Sequence, residues 1–391
     1  MLQKFLHIAL LLIVFSACTE RKTPQLTPWG TSLDAAADTV ESGISLDDIV
    51  SNGELIMLTI SGPDTYYDYH GRSMGTQYRL CEKFAQRLGV SLRVEVCKDT
   101  AELLTRLKAG EGDVIALEIP QKALGIRYCG VRNEQKKTAW AVKEGNDALA
   151  DTLDAWFNPS LISAVKKEES FRLSPRSVTR HVYAPMLNQA SGVISKYDHL
   201  FQKYAPVARW DWRLLAAQSY QESTFDPQAR SWAGACGLMQ IMPGTADRLG
   251  LPRESLFDPE QNIAAAARYI ADLERKMADI PDRLERQCFV LACYNGGYHH
   301  IRDAMALAKK HGANAHSWAQ VSAYVLKLRD QQYYNDPVVK YGYMRGNETV
   351  DYVYRIRERW NKYRGVASGG SAGRLGTLVP QRATRKYRFH L

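Results

Sequence analysis

DWRLLAAQSYQESTFDPQARSWAGACGLMQIMPGT, residues 211–245, is the stretch on which the reading of the whole chain turns. Leu214, Leu215, Ala216, Ala217 and Tyr220 recur at helical spacing, and Asp211 stands where an N-cap accepts a backbone N–H. The helix should stop by Phe225, because Asp226 before Pro227 is a turn signal: the ring of a proline pushes the preceding residue out of the helical region. One acidic residue, Glu222, therefore sits at the end of an apolar helix. A turn containing Gly234 and Gly237 follows, glycines that permit tight backbone paths, and it carries Gln240.

Downstream the chain reads as helical. Asp258 and Pro259 supply an N-cap and a proline at the first helical position, opening a helix over 260–277. Its alanines at 264–267 allow close helix packing. Further helices are predicted at 283–294, 298–310 and 351–363. Upstream, Ile194, Tyr197, Leu200, Phe201 and Tyr204 suit an amphipathic helix that opens this region near Gly192.

The preceding segment has a different period. Residues 54–60 read as a buried strand, 78–88 as a helix capped by Gly89, and 90–96 as an alternating strand. Residues 100–109 read as a helix before Gly110, and 113–117 as a third strand. Strand–helix alternation implies a small α/β layer with parallel strands. Residues 138–142 read as a returning strand and 147–157 as a closing helix. The expected fold class is thus α+β multidomain, a small α/β domain followed by an all-α domain. The boundaries read as a signal peptide at 1–17, a tether at 18–50, the α/β domain at 51–157, a connector at 158–191, the helical domain at 192–364 and a basic, disordered tail at 365–391.

The 391 residues carry a net charge of +9, which favours an anionic partner. No basic run interleaved with aromatics marks a nucleic-acid surface, so nucleic acid is not expected. Lys4 and His7 precede a short apolar run, followed by Ser16, Ala17 and Cys18. The run is too short to span a bilayer. The pattern resembles a bacterial lipoprotein signal, with Cys18 as the lipidated residue; an ordinary secretory signal is the alternative. No aspartate follows the cysteine, which points to lipid anchoring at the periplasmic face of the outer membrane. The other six cysteines form no CxxC pair, so no metal site and no cofactor are expected. Most read as small buried residues.

A carboxyl at the end of an apolar helix is suited to proton delivery, since apolar surroundings raise its pKa. Glycosidases usually pair such an acid with a second carboxylate. The nearby candidates, Asp226 and Asp258, are accounted for as turn and cap residues, so Glu222 stands alone.

Two resemblances follow from the residues. GELIMLTISGPDTYY (53–67), GTQYRLCEKFAQRLGVSLRV (75–94) and ELLTRLKAGEGDVIA (102–116) resemble the first lobe of a bacterial amino-acid-type solute-binding protein. The second lobe is missing, which implies a structural role or a cell-wall or envelope protein partner for this domain. Glu222 and Ser223, SWAGACGLMQ (231–240), MPGTA (242–246), CYN (293–295) and YMRGNETVDYV (343–353) are similar to the lysozyme-like domain of family 23 lytic transglycosylases. That resemblance implies peptidoglycan glycan strands as substrate, with non-hydrolytic cleavage between N-acetylmuramic acid and N-acetylglucosamine. Glu222 would act as acid and then as base, closing a 1,6-anhydro ring with help from the substrate's N-acetyl group.

By matching motif, Ser231 and Gln240 would bind substrate and Met239 and Met242 would line the groove. Tyr294 would orient Glu222 or the N-acetyl group, with Asn295 supporting it, and Glu348 and Tyr352 would close the far side. Ser223 and Gly237 belong to the same set. Other readings stay open: Ser223 as a helix-end support, Gly237 as a turn glycine, Gln240 as a turn residue and Tyr294 as a core aromatic. At the level of function the alternatives are a goose-type hydrolytic lysozyme and a non-catalytic wall-binding or sensing lipoprotein.

Overall fold

The computed structural model describes residues 45–179, 188 and 190–368. The signal peptide, Cys18, the tether up to residue 44 and the tail from residue 369 lie outside the described residues.

The α/β domain begins with α1 (Leu46–Asn52) and β1 (Glu54–Ile60), followed by a hairpin of β2 (Tyr67–Tyr69) and β3 (Arg72–Met74). Then come α2 (Thr76–Leu88), β4 (Ser91–Cys97), α3 (Thr100–Ala109), β5 (Val114–Pro120), β6 (Ile126–Asn133), β7 (Thr138–Lys143), α4 (Asp147–Trp156) and α5 (Ser160–Arg172). The sheet order is β4-β1-β5-β7-β6. Strand β1 is parallel to both β4 and β5, as the alternation predicts. Strand β7 runs antiparallel to β5 and β6, so the sheet is mixed rather than parallel.

Helices cover both faces of β1, which explains its unbroken apolar run. Leu55 and Met57 face Phe84 of α2 and Leu149 and Leu153 of α4. Leu58 faces Leu103 and Leu107 of α3. The indole N–H of buried Trp140 donates to Gln77 Oε1 at 2.6 Å.

Two expectations for this half need correction, and one strand was not foreseen. The tether does not run to residue 50. Ser45 and Asp48 form a reciprocal capping box that starts α1, and Ile49 is buried in the core. The connector contains α5, which buries Val165 and ties Glu168 to Arg79 at 2.8 Å. Only one of its residues is fully buried, so its sequence carries little period. Strand β6 had no signal, because Gly130 (φ 64) and a register shift between Cys129 and Arg132 break its alternation.

The helical domain comprises α6 (Asp198–Ala208), α7 (Trp212–Ser223), α8 (Pro243–Leu249), α9 (Pro259–Lys276), α10 (Arg283–Gly296), α11 (Tyr298–Lys310), α12 (Trp318–Lys327), α13 (Gln331–Tyr334) and α14 (Gly346–Val366). Short strands β8 (Val178–Thr179) and β9 (Arg230–Ser231) pair the end of the connector with the loop after α7. Helix α7 is enclosed: only Arg213, Gln221 and Glu222 escape full burial. Helices α6 and α14 pack directly on it. The last helix starts at Gly346 rather than 351, which places Glu348 and Tyr352 one turn apart on one face. All six described cysteines are buried and unpaired.

The two domains meet through the β2–β3 hairpin. Tyr69 O–H donates to Glu348, Arg72 Nε–H donates to the Ala233 carbonyl at 2.8 Å, and Tyr343 N–H donates to Ser61 Oγ at 2.8 Å. Tyr67, Met74 and Tyr343 bury one another at this seam.

Because α1 is part of the core, Ile49→Ala should cost ~2–5 kcal/mol. Calorimetry of the full chain should show a lower melting transition; an unchanged transition would show that α1 contributes nothing to the α/β core.

Candidate functional site

A cleft of about 1610 Å³ runs along the domain seam, and Glu222 lies in its wall. The position of Glu222 follows from the termination of α7. Asp211 caps the start, accepting from Arg213 N–H at 2.9 Å. At the other end Thr224 (φ 56) and Phe225 (φ 64) are both left-handed, an arrangement unfavourable for residues with side chains. Burial of Phe225 against Tyr220 and Phe201 holds that turn. The helix therefore stops one residue beyond Glu222, with the carboxylate on its open side.

The carboxylate is held from α14. Tyr352 O–H donates to Glu222 Oε1 at 2.5 Å, and the Tyr352 phenol oxygen accepts from Gln218 Nε2–H at 3.1 Å. Gln218 is one turn before Glu222 on α7 and fully buried. Tyr294 donates its hydroxyl to the Met239 carbonyl at 2.7 Å. Burial, and then the negative charge of Glu222, push both phenols well above the ordinary tyrosine range. Both remain O–H donors across the pH range in which a carboxyl titrates.

The turn after β9 is fixed by one side chain. Asn262, fully buried on α9, accepts from Met239 N–H at 2.8 Å through Oδ1. Its Nδ2 donates to the carbonyls of Leu256 at 2.8 Å and Cys236 at 3.1 Å. From α7, the hydroxyls of Ser219 and Ser223 both donate to the Leu238 carbonyl, at 3.1 and 2.9 Å. Gly237 (φ 77) packs so closely on Asn262 and the Leu256 carbonyl that a Cβ would lie 2.5 Å from each.

The structure sorts the residues expected from sequence. Glu222, Ser231, Gln240, Met242, Tyr294, Asn295, Glu348 and Tyr352 all line the cleft. Ser223, Gly237 and Met239 do not. Ser223 and Met239 are fully buried, the first as a support for Leu238 and the second as core, while Gly237 is a packing glycine. Gln240 lines the cleft and also closes the turn, its Nε2 donating to the Ala229 and Gly237 carbonyls at 3.1 and 3.0 Å. Asn295 Oδ1 accepts from the Thr349 hydroxyl at 2.8 Å, tying α10 to α14.

Asp226 and Asp258 stay outside the cleft. Asp226 is buried with its carboxylate on Gln228 N–H, and Asp258 caps α9 through Gln261 N–H. The carboxylates in the cleft besides Glu222 are Asp68, Asp336 and Glu348. Asp336 is paired with Lys310 and Glu348 with Arg345. No grouping of three or more His, Cys, Asp or Glu able to hold a metal occurs among the described residues.

Sequence alone missed three contributors. Gln218 carries only the signal of its four-residue spacing from Glu222. Asn262 is a lone amide just before the alanine run of α9. The hairpin, which brings Tyr69 and His70 into the cleft wall, has no local signal, because its role depends on the packing of two domains.

Residues 199–317 match the Transglycosylase SLT domain. The chain is similar to proteins named membrane-bound lytic murein transglycosylase F. The relative from Desulfosudis oleivorans is 32% identical over 72% of this chain and 63% of its own length. That from Citrobacter koseri is 35% identical over 69% of this chain and 53% of its own. That from Klebsiella pneumoniae is 28% identical over 79% and 80%. The chain thus spans less than two thirds of the first two of these relatives. Among solved structures, the lytic transglycosylase Slt from Pseudomonas aeruginosa aligns at 20% identity over 44% of this chain and 25% of that one, with a TM-score of 0.33. The arginine-bound form of domain 1 from TmArgBP aligns at 22% identity over 31% of this chain and 98% of that one, with a TM-score of 0.24.

Asn262→Ala leaves Met239 N–H and two carbonyls without their buried partner. It should cost ~3 kcal/mol or more, read as a lower denaturation midpoint. An unchanged midpoint would show that the turn is held by the Ser219 and Ser223 contacts alone.

Proposed function

Because residues 199–317 carry a Transglycosylase SLT domain, we propose that the chain is a peptidoglycan lytic transglycosylase. It cleaves the β-1,4 bond between N-acetylmuramic acid and N-acetylglucosamine and leaves 1,6-anhydromuramoyl ends. The observation that carries this reading is Glu222 at the end of α7, oriented by Tyr352, in a long cleft whose other wall carboxylates are mostly neutralised by ion pairs. Cleavage without water needs one carboxyl to act twice, and this site is built around one.

In the proposed reaction Glu222 protonates the glycosidic oxygen, and the bond to the anomeric carbon of N-acetylmuramic acid breaks. The N-acetyl oxygen of that sugar stabilises the anomeric centre in place of a carboxylate nucleophile. The Glu222 carboxylate then removes the proton from the C6 hydroxyl, whose oxygen closes on the anomeric carbon. The proton returns to Glu222, so the cycle balances without water.

The setting is part of the same proposal. Lipidation at Cys18 anchors the chain to the periplasmic face of the outer membrane, where it serves cell-wall turnover. The relatives' description as membrane-bound supports association with a membrane. No described helix is long and apolar enough to cross one. The α/β domain faces the cleft and offers a surface to a wall or envelope protein.

Mass spectrometry of wall digests tests the chemistry. Products should be lighter by one water than hydrolytic ones, and a digest with only reducing muramic ends would overturn the transglycosylase reading in favour of a lysozyme. Glu222→Gln should lower turnover by ~10²–10⁴-fold; full activity in that variant would leave the assigned acid without a role. Tyr352→Phe should lower kcat by roughly 10- to 100-fold with little change in KM, since it disturbs the orientation of the acid rather than binding. A change confined to KM would instead make Tyr352 a substrate contact.

A further inference from the structure

The same cleft continues beyond Glu222 to a junction between the two domains that the reaction does not use. Strands β1 and β4 are parallel and in register, with Ile60 opposite Cys97, so the next residues, Ser61 and Lys98, emerge side by side at their carboxyl ends. In open α/β sheets this is the end at which ligands are held. Here the face is covered by the helical domain. Ser61 Oγ accepts from Tyr343 N–H at 2.8 Å, and Gly342 lies so close to Ser61 that a side chain there would collide with it. Two residues before Gly342 is Lys340, whose loop is fixed by buried Asp303. That carboxylate accepts from Lys340 N–H at 3.1 Å and Tyr341 N–H at 2.8 Å.

Lys98 and Lys340 thus flank one junction, one from each domain, and both line the cleft. Both side chains are exposed, and neither ammonium is in an ion pair among the described residues. Asp64 acts on Tyr334 and Tyr343 at this junction, and the other acidic groups nearby are engaged otherwise. Glu102 accepts from Lys98 N–H at 2.9 Å, Asp303 holds its two backbone N–H groups, and Asp336 is paired with Lys310 at 2.5 Å. A pair of cations outside any ion pair among the described residues raises the local concentration of anions in a cleft, although Lys340 also acts on Asp303. In a stem-bearing glycan strand the sugars are uncharged, because the lactyl carboxyl of muramic acid is taken up in the amide bond to the peptide. The carboxylates of that substrate lie on the peptide attached to its muramic acid, and an extended peptide advances roughly 3.3–3.6 Å per residue, so a short one reaches well away from the sugar.

We propose that Lys98 and Lys340 form a subsite for the carboxylates of the peptide stem, an inference that rests on the peptidoglycan reading above. The α/β domain is then a wall of the substrate site: its strand ends read the peptide while α7 and α14 hold the sugar. The interdomain bond from Tyr343 N–H to Ser61 ties the strand end beside Lys98 to the loop that carries Lys340.

Binding in the full chain carrying Glu222→Gln, which keeps substrate intact, tests this. The probes are stem-bearing glycan oligomers with free carboxylates and the same oligomers with those carboxylates converted to amides, titrated by calorimetry. Adding K98E and K340E together should weaken binding of the free-acid oligomer about tenfold and leave the amide oligomer unchanged. Equal weakening of both oligomers, or no weakening of the free acid, overturns the subsite. So does tighter binding of both, which would mean that the junction holds the cleft closed. Both lysines are exposed, and circular dichroism matching the parent confirms that the double variant is folded. The product analysis of the wild-type chain separates the two ideas. Anhydro ends with charge-independent binding overturn only the subsite, whereas hydrolytic ends with charge-dependent binding overturn only the reaction. If neither oligomer binds the parent while wild-type digests contain anhydro ends, the subsite alone falls.

Discussion

The site depends on the enclosure of α7. Nine of its twelve residues are fully buried, and Gln218, Ser219 and Ser223 are among them. Polar groups so deep in a core cost several kcal/mol unless they are bonded, so their partners are dictated. Ser219 and Ser223 find the Leu238 carbonyl, and Gln218 finds Tyr352. One helix thereby fixes both the turn on one side of Glu222 and the phenol on the other. The acid is positioned by the bonds its buried neighbours donate, although Gln218 Oε1 has no partner among the described residues, and only the acid's own side of the helix is left open to the cleft.

The same buried groups fix the loop that follows α7. Residues 236–240 form no regular element, yet their backbone is bonded from α7, α9 and α10. A loop held this way has the precision of a helix at the positions that matter. The left-handed conformations at Gln240 and His70 lie in the cleft wall, and those at Thr224 and Phe225 end the helix that carries Glu222. Such strain persists only where the surroundings determine it fully, as they do here.

Much of this was legible in the sequence, for identifiable reasons. Caps and breakers are local, so Asp211, Asp258 with Pro259, and the glycines after α2 and α3 placed their elements correctly. Gln240, Tyr294 and Tyr352 are read from the family resemblance rather than from a local pattern, and with Glu222 they line the cleft. What failed was non-local. Met239 reads as a groove residue by motif match, but its side chain is fully buried in the core, and its backbone is what the site uses. Helix α5 was hidden because most of its surface is exposed, and β6 because a bulge breaks its alternation. The hairpin and the lysine junction belong to the packing of two domains, which no local pattern encodes.

A carboxyl that must be first an acid and then a base needs neighbours indifferent to its protonation. An ammonium or guanidinium beside Glu222 would favour the carboxylate and impede the first step. A second carboxylate would favour the acid and impede the return of the proton. A neutral phenol avoids both. Tyr352 can donate to Oε1 whether or not the carboxyl carries a proton, and burial beside that carboxyl keeps the phenol itself from ionising. Holding one oxygen also fixes the plane of the group, so the two proton transfers of the proposed reaction are made from the same geometry. In the proposed reaction the one assigned acid and the buried tyrosine beside it answer a single demand: the site serves both halves of the cycle without being rebuilt between them.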